Sequence, residues 1–195
     1  MEEKEIHPNE SLALISGMIH TAKNRLADDG FLLIFWGWNV LAAALIHYAC
    51  IRLNIPGGHY AWLLMIVGGV VSAFYGLSQQ KKQRTHTYVD TFLGYSWGGF
   101  IIGMVITLVF MPYHGMKTTY FFLMILYGLA TFVSGGLLRF RPLIVGSLFS
   151  FLFAVISVFA SETDQLLCIA AAILCSYVIP GHLLRLKFRS QQNVQ

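Results

Sequence analysis

Charged residues are scarce in this chain of 195 residues: only 11% are Asp, Glu, Lys or Arg, whereas 56% are hydrophobic. About a quarter of the residues of an ordinary soluble domain are charged, and they keep its surface hydrated. This shortage excludes a typical water-soluble domain, and the high hydrophobic fraction excludes a disordered chain. The composition therefore predicts an integral membrane protein.

Cysteine is also scarce. The three cysteines, Cys50, Cys168 and Cys175, lie in apolar stretches, where a thiol serves as a small hydrophobic side chain. They are too few for a disulfide framework, so the fold has to be held together by helix packing.

Stretches without charge occur six times, and each has about the 20 residues that a helix needs to cross the hydrocarbon core of a bilayer. They run from Phe31 to Leu53, Tyr60 to Ser78, Thr91 to Met111, Thr119 to Leu138, Leu143 to Ala160 and Leu166 to Leu183, and the one charge among them is Arg52, at a span end. A helix satisfies its own backbone groups, as hydrocarbon requires. The sequence thus predicts an all-α, polytopic bundle of six transmembrane helices over residues 31–183, with Pro180-Gly181 loosening the last one.

Lys and Arg are unevenly divided between the two sides of this bundle. Eleven of the 13 fall on the side of both termini, and only Arg52 and Lys117 fall on the other. Because cytoplasmic loops carry the excess of Lys and Arg, we expect a multi-pass protein of the inner (plasma) membrane with cytoplasmic N and C termini. This placement also explains the net charge of +4 without nucleic acid as a partner.

Residues 1–30 precede the first span and contain apolar residues at helical spacing. These are Leu12, Ile15, Ile19, Ala22 and Leu26. The segment lacks the apolar core of a signal peptide, so we expect it to be retained. The pattern predicts an amphipathic helix that lies in the cytoplasmic interface or covers the mouth of the bundle; docking of a cytoplasmic partner protein is the alternative.

Residues 184–195 form a basic cytoplasmic tail, which we expect to contact lipid headgroups or a partner. Two acidic positions next to spans are typical of helix caps: Asp28-Asp29 before the first span and Asp90 before the third.

Polar residues at membrane depth are few, and no Asp, Glu, Lys or Arg lies in the middle of a span, which disfavours an ion-coupled transporter. The polar residues are Asn39, His47, Thr107, Ser134, Ser147, Ser150, Ser157 and Ser176. Hydrogen bonding between helices is the expected role of all eight. Asn39, His47, Thr107 and Ser134 are also the candidates for lining a path for a solute.

On the cytoplasmic side, His86, Asp90 and His182 are the candidates for a polar reaction centre of a membrane enzyme. On the outer side, His59, His114, Glu162 and Asp164 fall in loops, but they lack the spacing of a zinc motif. The chain contains no Gly-x-Ser-x-Gly, His-Glu-x-x-His or phosphate-binding glycine loop. The sequence therefore predicts no catalytic, cofactor-binding or metal site.

Small residues recur at spacings that allow close helix contact, which indicates tight packing or a homo-oligomer. They are Gly68, Gly69, Ser72, Ala73 and Gly76 in the second span, Gly98, Gly99 and Gly103 in the third, and Ser134, Gly135 and Gly136 in the fourth.

Four short motifs together resemble those of a group of small uncharacterised six-span inner-membrane proteins of Bacteroidota-type bacteria. They are Glu10-Ser11-Leu12-Ala13-Leu14-Ile15, Trp36-Gly37-Trp38, Tyr127-Gly128 with Gly135-Gly136, and Ile179-Pro180-Gly181. The resemblance implies an inner-membrane location and carries no activity, cofactor or site residue.

Three functions remain open at this point. The leading hypothesis is a non-enzymatic bundle that anchors, senses or binds a partner. The alternative is a small permease or channel for a neutral or apolar solute, and the third is a membrane enzyme with a cytoplasmic-side His/Asp site.

Overall fold

The structure is a computed structural model that describes residues 8–80 and 88–192, and every regular element in these ranges is helical. In chain order the elements are α1 (Pro8–Arg52), a 3₁₀ turn (Gly58–Leu63), α2 (Leu64–Gln80), α3 (Tyr88–Val109), α4 (Met111–Leu137), α5 (Arg141–Phe159), α6 (Glu162–Ile173), a π-helical turn (Leu174–Val178) and α7 (Ile179–Gln192). The predicted all-α class is confirmed.

Six stretches of these helices are long and apolar enough to cross a membrane, which confirms the predicted number of spans. They are Gly30–Arg52, Gly58–Ser78, Thr91–Val109, Met111–Leu137, Arg141–Phe159 and Glu162–Lys187. The fold is thus that of a multi-pass helical membrane bundle. Its last span is built from α6, the π-helical turn and the first part of α7, which follow one another directly.

The start of the first span differs from the prediction. α1 continues without a break from Pro8 to Arg52, so Asp28 and Asp29 lie inside a helix and do not cap its beginning. Residues 18–29 contain neither proline nor glycine, and the helix continues through Gly30. The side chains of residues 8–16 and 18–29 lie outside the described part of the chain, and the apolar face predicted there stays a prediction.

Two other helices also begin earlier than the sequence predicted. α3 already includes Tyr88, so Asp90 lies within the helix and not at its cap. α4 begins at Met111 because Pro112 is accepted in the first turn of a helix. Gly115, with φ 80° and ψ 166°, then separates this turn from the rest of α4.

The core of the bundle consists of α1 and α4–α7, whereas α2 and α3 lie at the periphery. In the most apolar stretch of the last span 56% of the residues are buried, but in those of the second and third spans only 6% are. α4 and α5 form an antiparallel hairpin joined by Leu138, Arg139 and Phe140. Within the described ranges, α2 packs against α1 and the 3₁₀ turn, α3 packs against α4 and α1, and α2 does not contact α3.

Pro180 explains the π-helical turn in the last span. It has no N–H to donate, and the N–H of Ile179 before it donates to the Leu174 carbonyl, five residues back. The predicted loosening near Pro180-Gly181 is therefore confirmed. The turn holds the Cys175 carbonyl against α5, where Gly146 lies so close that a Cβ there would overlap the carbonyl oxygen.

Candidate functional site

Three of the four predicted intramembrane candidates form hydrogen bonds inside their own helices. Asn39 Nδ2 donates to Phe35 O at 2.9 Å, Thr107 Oγ1 to Gly103 O at 2.8 Å, and Ser134 Oγ to Ala130 O at 2.7 Å. In each case the acceptor lies four residues back. The interhelical role predicted for these side chains is wrong, because the nearest carbonyl of the same helix already accepts their hydrogen bond.

Ser147, Ser157 and Ser176 likewise donate to carbonyls of their own helices. Ser150 behaves as predicted, since its Oγ donates to Met124 O on α4 at 3.0 Å. Two further interhelical bonds come from donors, Gln165 and Trp36, for which the sequence predicted no hydrogen bond. They are Gln165 Nε2 to Ser157 O at 2.8 Å and Trp36 Nε1 to Ser72 Oγ at 2.9 Å.

His47 is the fourth intramembrane candidate, and it connects α1 to the 3₁₀ turn. Its ring is buried, and its Nδ1 accepts a hydrogen bond from Trp62 Nε1 at 3.1 Å. An accepting Nδ1 carries no proton, so this geometry corresponds to the neutral imidazole protonated at Nε2. Trp62 also stacks with Tyr120 of α4 at a centroid distance of 6.2 Å. Through these contacts Trp62 connects the 3₁₀ turn to both α1 and α4.

The four residues predicted in outer loops lie in helical elements instead. His59 is in the 3₁₀ turn, His114 is near the start of α4, and Glu162 and Asp164 are in the first turn of α6. Asp164 N–H donates to Ser161 Oγ at 3.2 Å, and Ser161 Oγ donates to Asp164 Oδ2 at 2.7 Å, which caps α6. His114 Nδ1 lies 3.2 Å from Gly115 O, at the break in α4. Within residues 8–80 and 88–192, no three His, Cys, Asp or Glu side chains are grouped as metal ligands would be.

The three cytoplasmic-side candidates cannot be compared as a set, because His86 and the side chain of Asp90 lie outside the described residues. His182 is exposed on α7, and its Nδ1 is 2.9 Å from Val178 O. Nδ1 therefore donates to that carbonyl. A site formed by these three residues stays a prediction.

Aromatic side chains fill the space between α3, α4 and the π-helical turn. Tyr177 contacts Tyr127 and Trp97 edge to face, with centroid distances of 5.6 Å and 6.2 Å. Phe100 lies 5.4 Å from Tyr127. The hydroxyl of Tyr177 is buried and has no hydrogen-bond partner among the described residues, as is also true of the Tyr120 hydroxyl and Gln165 Oε1.

A groove of about 510 Å³ lies where α4 ends, α5 begins and α7 passes. It is lined by Arg139, Phe140, Arg141, Pro142, Leu183 and Lys187. Lys187 Nζ lies 5.7 Å from the centroid of the buried Phe140 ring, within the range of a cation–π contact. This basic groove thus combines three cationic side chains with an apolar wall.

The sequence assigned these basic residues to loops and the tail and did not predict that they form one groove. A local signal exists in the run Arg139-Phe140-Arg141-Pro142, which places two cations within a very short link between spans. The contribution of α7 becomes visible only when the helices are packed together.

No family model, curated protein or solved structure matches the chain. The resemblance to a Bacteroidota-type family stays a prediction, and the function has to be argued from the geometry of the chain itself.

Proposed function

We propose that the protein is a non-enzymatic, membrane-anchored docking protein of the inner membrane. In this proposal the six-span bundle holds α1 in place, and the part of α1 that precedes the first span binds a partner protein in the cytoplasm. The observation that carries the proposal is the continuity of α1, whose 22 residues from Pro8 to Asp29 add about 33 Å of helix at 1.5 Å per residue.

Continuity favours docking over a location in the membrane interface. A helix that lies in the interface is parallel to the membrane, so the chain has to turn before it crosses the bilayer. α1 has no such turn, and its first part extends along the direction of the span. The uneven division of Lys and Arg supports the cytoplasm as the compartment into which it extends.

The apolar positions of this extension suit a helical partner. Leu12, Ile15, Ile19, Ala22 and Leu26 follow one another at alternating intervals of three and four residues. This spacing is that of a narrow seam between two packed helices. A partner that presents an apolar helix face would therefore complete the contact.

The packing of the bundle supports anchoring over transport of a solute. Asn39, Thr107 and Ser134 use their hydrogen-bond donors within their own helices. A permease for a neutral solute would use such groups to replace the water around its substrate.

Photocrosslinking in native membranes tests the docking role. A crosslinking residue at Ile19 should give one discrete protein adduct, and the same residue at Asn24, on the opposite face of the helix, should not. Because each Ile→Ser change removes about 1–2 kcal/mol of apolar burial, we expect I15S to lower the yield of the adduct at Ile19 at least fivefold.

The matched control is T21A, which lies opposite the apolar seam and should leave the adduct unchanged. Equal amounts of each variant in the membrane fraction show that the bundle is inserted. Adducts with lipid alone at Ile19, or equal protein adducts at Ile19 and Asn24, would contradict docking.

A further inference from the structure

We infer that the basic groove binds the phosphate of an anionic phospholipid, held by Arg139, Arg141 and Lys187. The inference uses the membrane orientation proposed above and does not depend on the docking role of α1. Its first support is the backbone of the turn between α4 and α5.

This turn is a Schellman motif with arginine at its left-handed position. Arg139 N–H donates to Gly136 O at 3.1 Å, and Phe140 N–H donates to Gly135 O at 2.9 Å. Arg139 has φ +49°, where glycine is the favoured residue. A residue with a Cβ costs about 1–2 kcal/mol there, so arginine is not explained by the needs of the turn.

The end of α1 provides a comparison within the same chain. Asn54 N–H donates to Ile51 O at 3.2 Å, and Ile55 N–H donates to Cys50 O at 2.8 Å, which is the same motif. Asn54 has φ +55°, and asparagine tolerates this conformation better than other residues with a Cβ. The turn beside the groove thus departs from local preference, as residues at binding sites often do.

The groove attracts an anion through its side chains and through the start of α5. Three of the six residues that line the groove are cations. Guanidinium groups match phosphate oxygens with two parallel hydrogen bonds. Phe140 precedes the first turn of α5 without a side-chain hydrogen bond, so the positive end of the helix dipole adds to the attraction.

The apolar wall and the position of the groove favour a lipid over a soluble phosphate. Phe140, Pro142 and Leu183 line the groove beside the cations. The groove lies at the ends of three membrane spans, and the side chains of Val145 and Leu186 nearby along the chain are 51% and 63% exposed. Acyl chains can cover this apolar surface while the phosphate lies among the cations, as in other basic pockets between transmembrane helices.

Lipid retention by the full-length protein tests the inference. The protein is transferred from nanodiscs of phosphatidylcholine, with or without phosphatidylglycerol, into detergent, and bound lipid is measured by native mass spectrometry. Wild type should retain phosphatidylglycerol, and R139G and the double variant R141Q/K187Q should retain it at least fivefold less. R139G should keep or raise the Tm, because glycine is favoured at this φ.

The matched control is R52Q at the opposite end of the bundle, which should retain phosphatidylglycerol like wild type. Unchanged retention in R141Q/K187Q would overturn the inference. Inorganic phosphate is added as a competitor at the phosphatidylglycerol concentration. If phosphate does not displace the lipid, the result supports a lipid site. Complete displacement of the lipid would overturn the inference in favour of a site for free phosphate. Crosslinking at Ile19 is not measured in this experiment, so its result neither supports nor contradicts the docking role of α1.

Discussion

The peripheral helices α2 and α3 and the core span of α6 and α7 are similarly apolar, yet their burial differs greatly. In the most apolar stretches of the second and third spans 6% of the residues are buried, and in that of the last span 56% are. In lipid, an apolar side chain gains little by moving from acyl chains to protein. Hydropathy therefore determines which segments cross the membrane. It does not determine which of these segments lie at the centre of the bundle.

Close contacts at glycine differ between two core positions and two positions on α3. In the core, a Cβ at Gly146 would overlap the Cys175 carbonyl, and one at Gly37 would lie 2.8 Å from Val178 Cγ2. On α3, a Cβ added at Gly98 or Gly99 would meet no atom within 4 Å beyond its own helix backbone and chain neighbours. Glycine thus brings backbones together in the core but has no such role at these two peripheral positions.

The largest effect is expected for G146A. The added methyl group meets a backbone carbonyl that cannot rotate away, so α5 and the π-helical turn have to separate. Overpacking of this kind costs about 1–3 kcal/mol, and we expect the upper part of that range. The free energy of unfolding in mixed micelles measures it.

The control for G146A is G99A on α3, which should change the unfolding free energy by less than about 0.5 kcal/mol. Equal destabilisation by the two variants would remove the distinction between core and peripheral glycines.

A smaller effect is expected for S150A. Ser150 connects α5 to the Met124 carbonyl of α4, and hydrogen bonds between membrane helices contribute about 0.6 kcal/mol. S134A removes a bond to the same helix and should cost less. Unfolding free energies of the two variants, measured side by side, test this order. A larger loss of stability in S134A would contradict the expectation that a bond between helices contributes more than a bond within one helix.

The smallest global effect is expected for S72A at the periphery. Ser72 accepts the hydrogen bond of Trp36 Nε1 and connects α2 to α1. Its loss should leave the Tm within about 1 °C, since α2 contributes little to the core. Hydrogen–deuterium exchange should rise in α2 and stay constant in α5, and S78A, whose hydroxyl donates within α2, should raise neither.

The sequence predicts the six spans well because charge in hydrocarbon is costly and its absence marks each span directly. It is less informative about helix ends. Asp28 and Asp29 before Gly30 are typical of a cap, but carboxylates and glycine also occur inside helices, and α1 continues through all three. Pro112 is typical of a break, but the structure accepts it in the first turn of α4.

The basic groove is harder to predict because it depends on packing. Arg141 and Lys187 are far apart in the chain and line the same groove because α7 passes the start of α5. Charge counting assigns both residues to one side of the membrane but contains no information on their distance. Likewise, the donors of Asn39 and Thr107 have acceptors both within and between helices, and sequence alone does not choose between them.

The three-residue link between α4 and α5 also constrains how the protein is made. Three residues extend over about 10 Å, one third of the hydrocarbon thickness. In the inserted protein the end of α4 and the start of α5 therefore lie at the same face of the bilayer, and we expect the two helices to insert together as a hairpin. For the same reason, we expect exchange of α5 alone between two copies of the protein to be disfavoured.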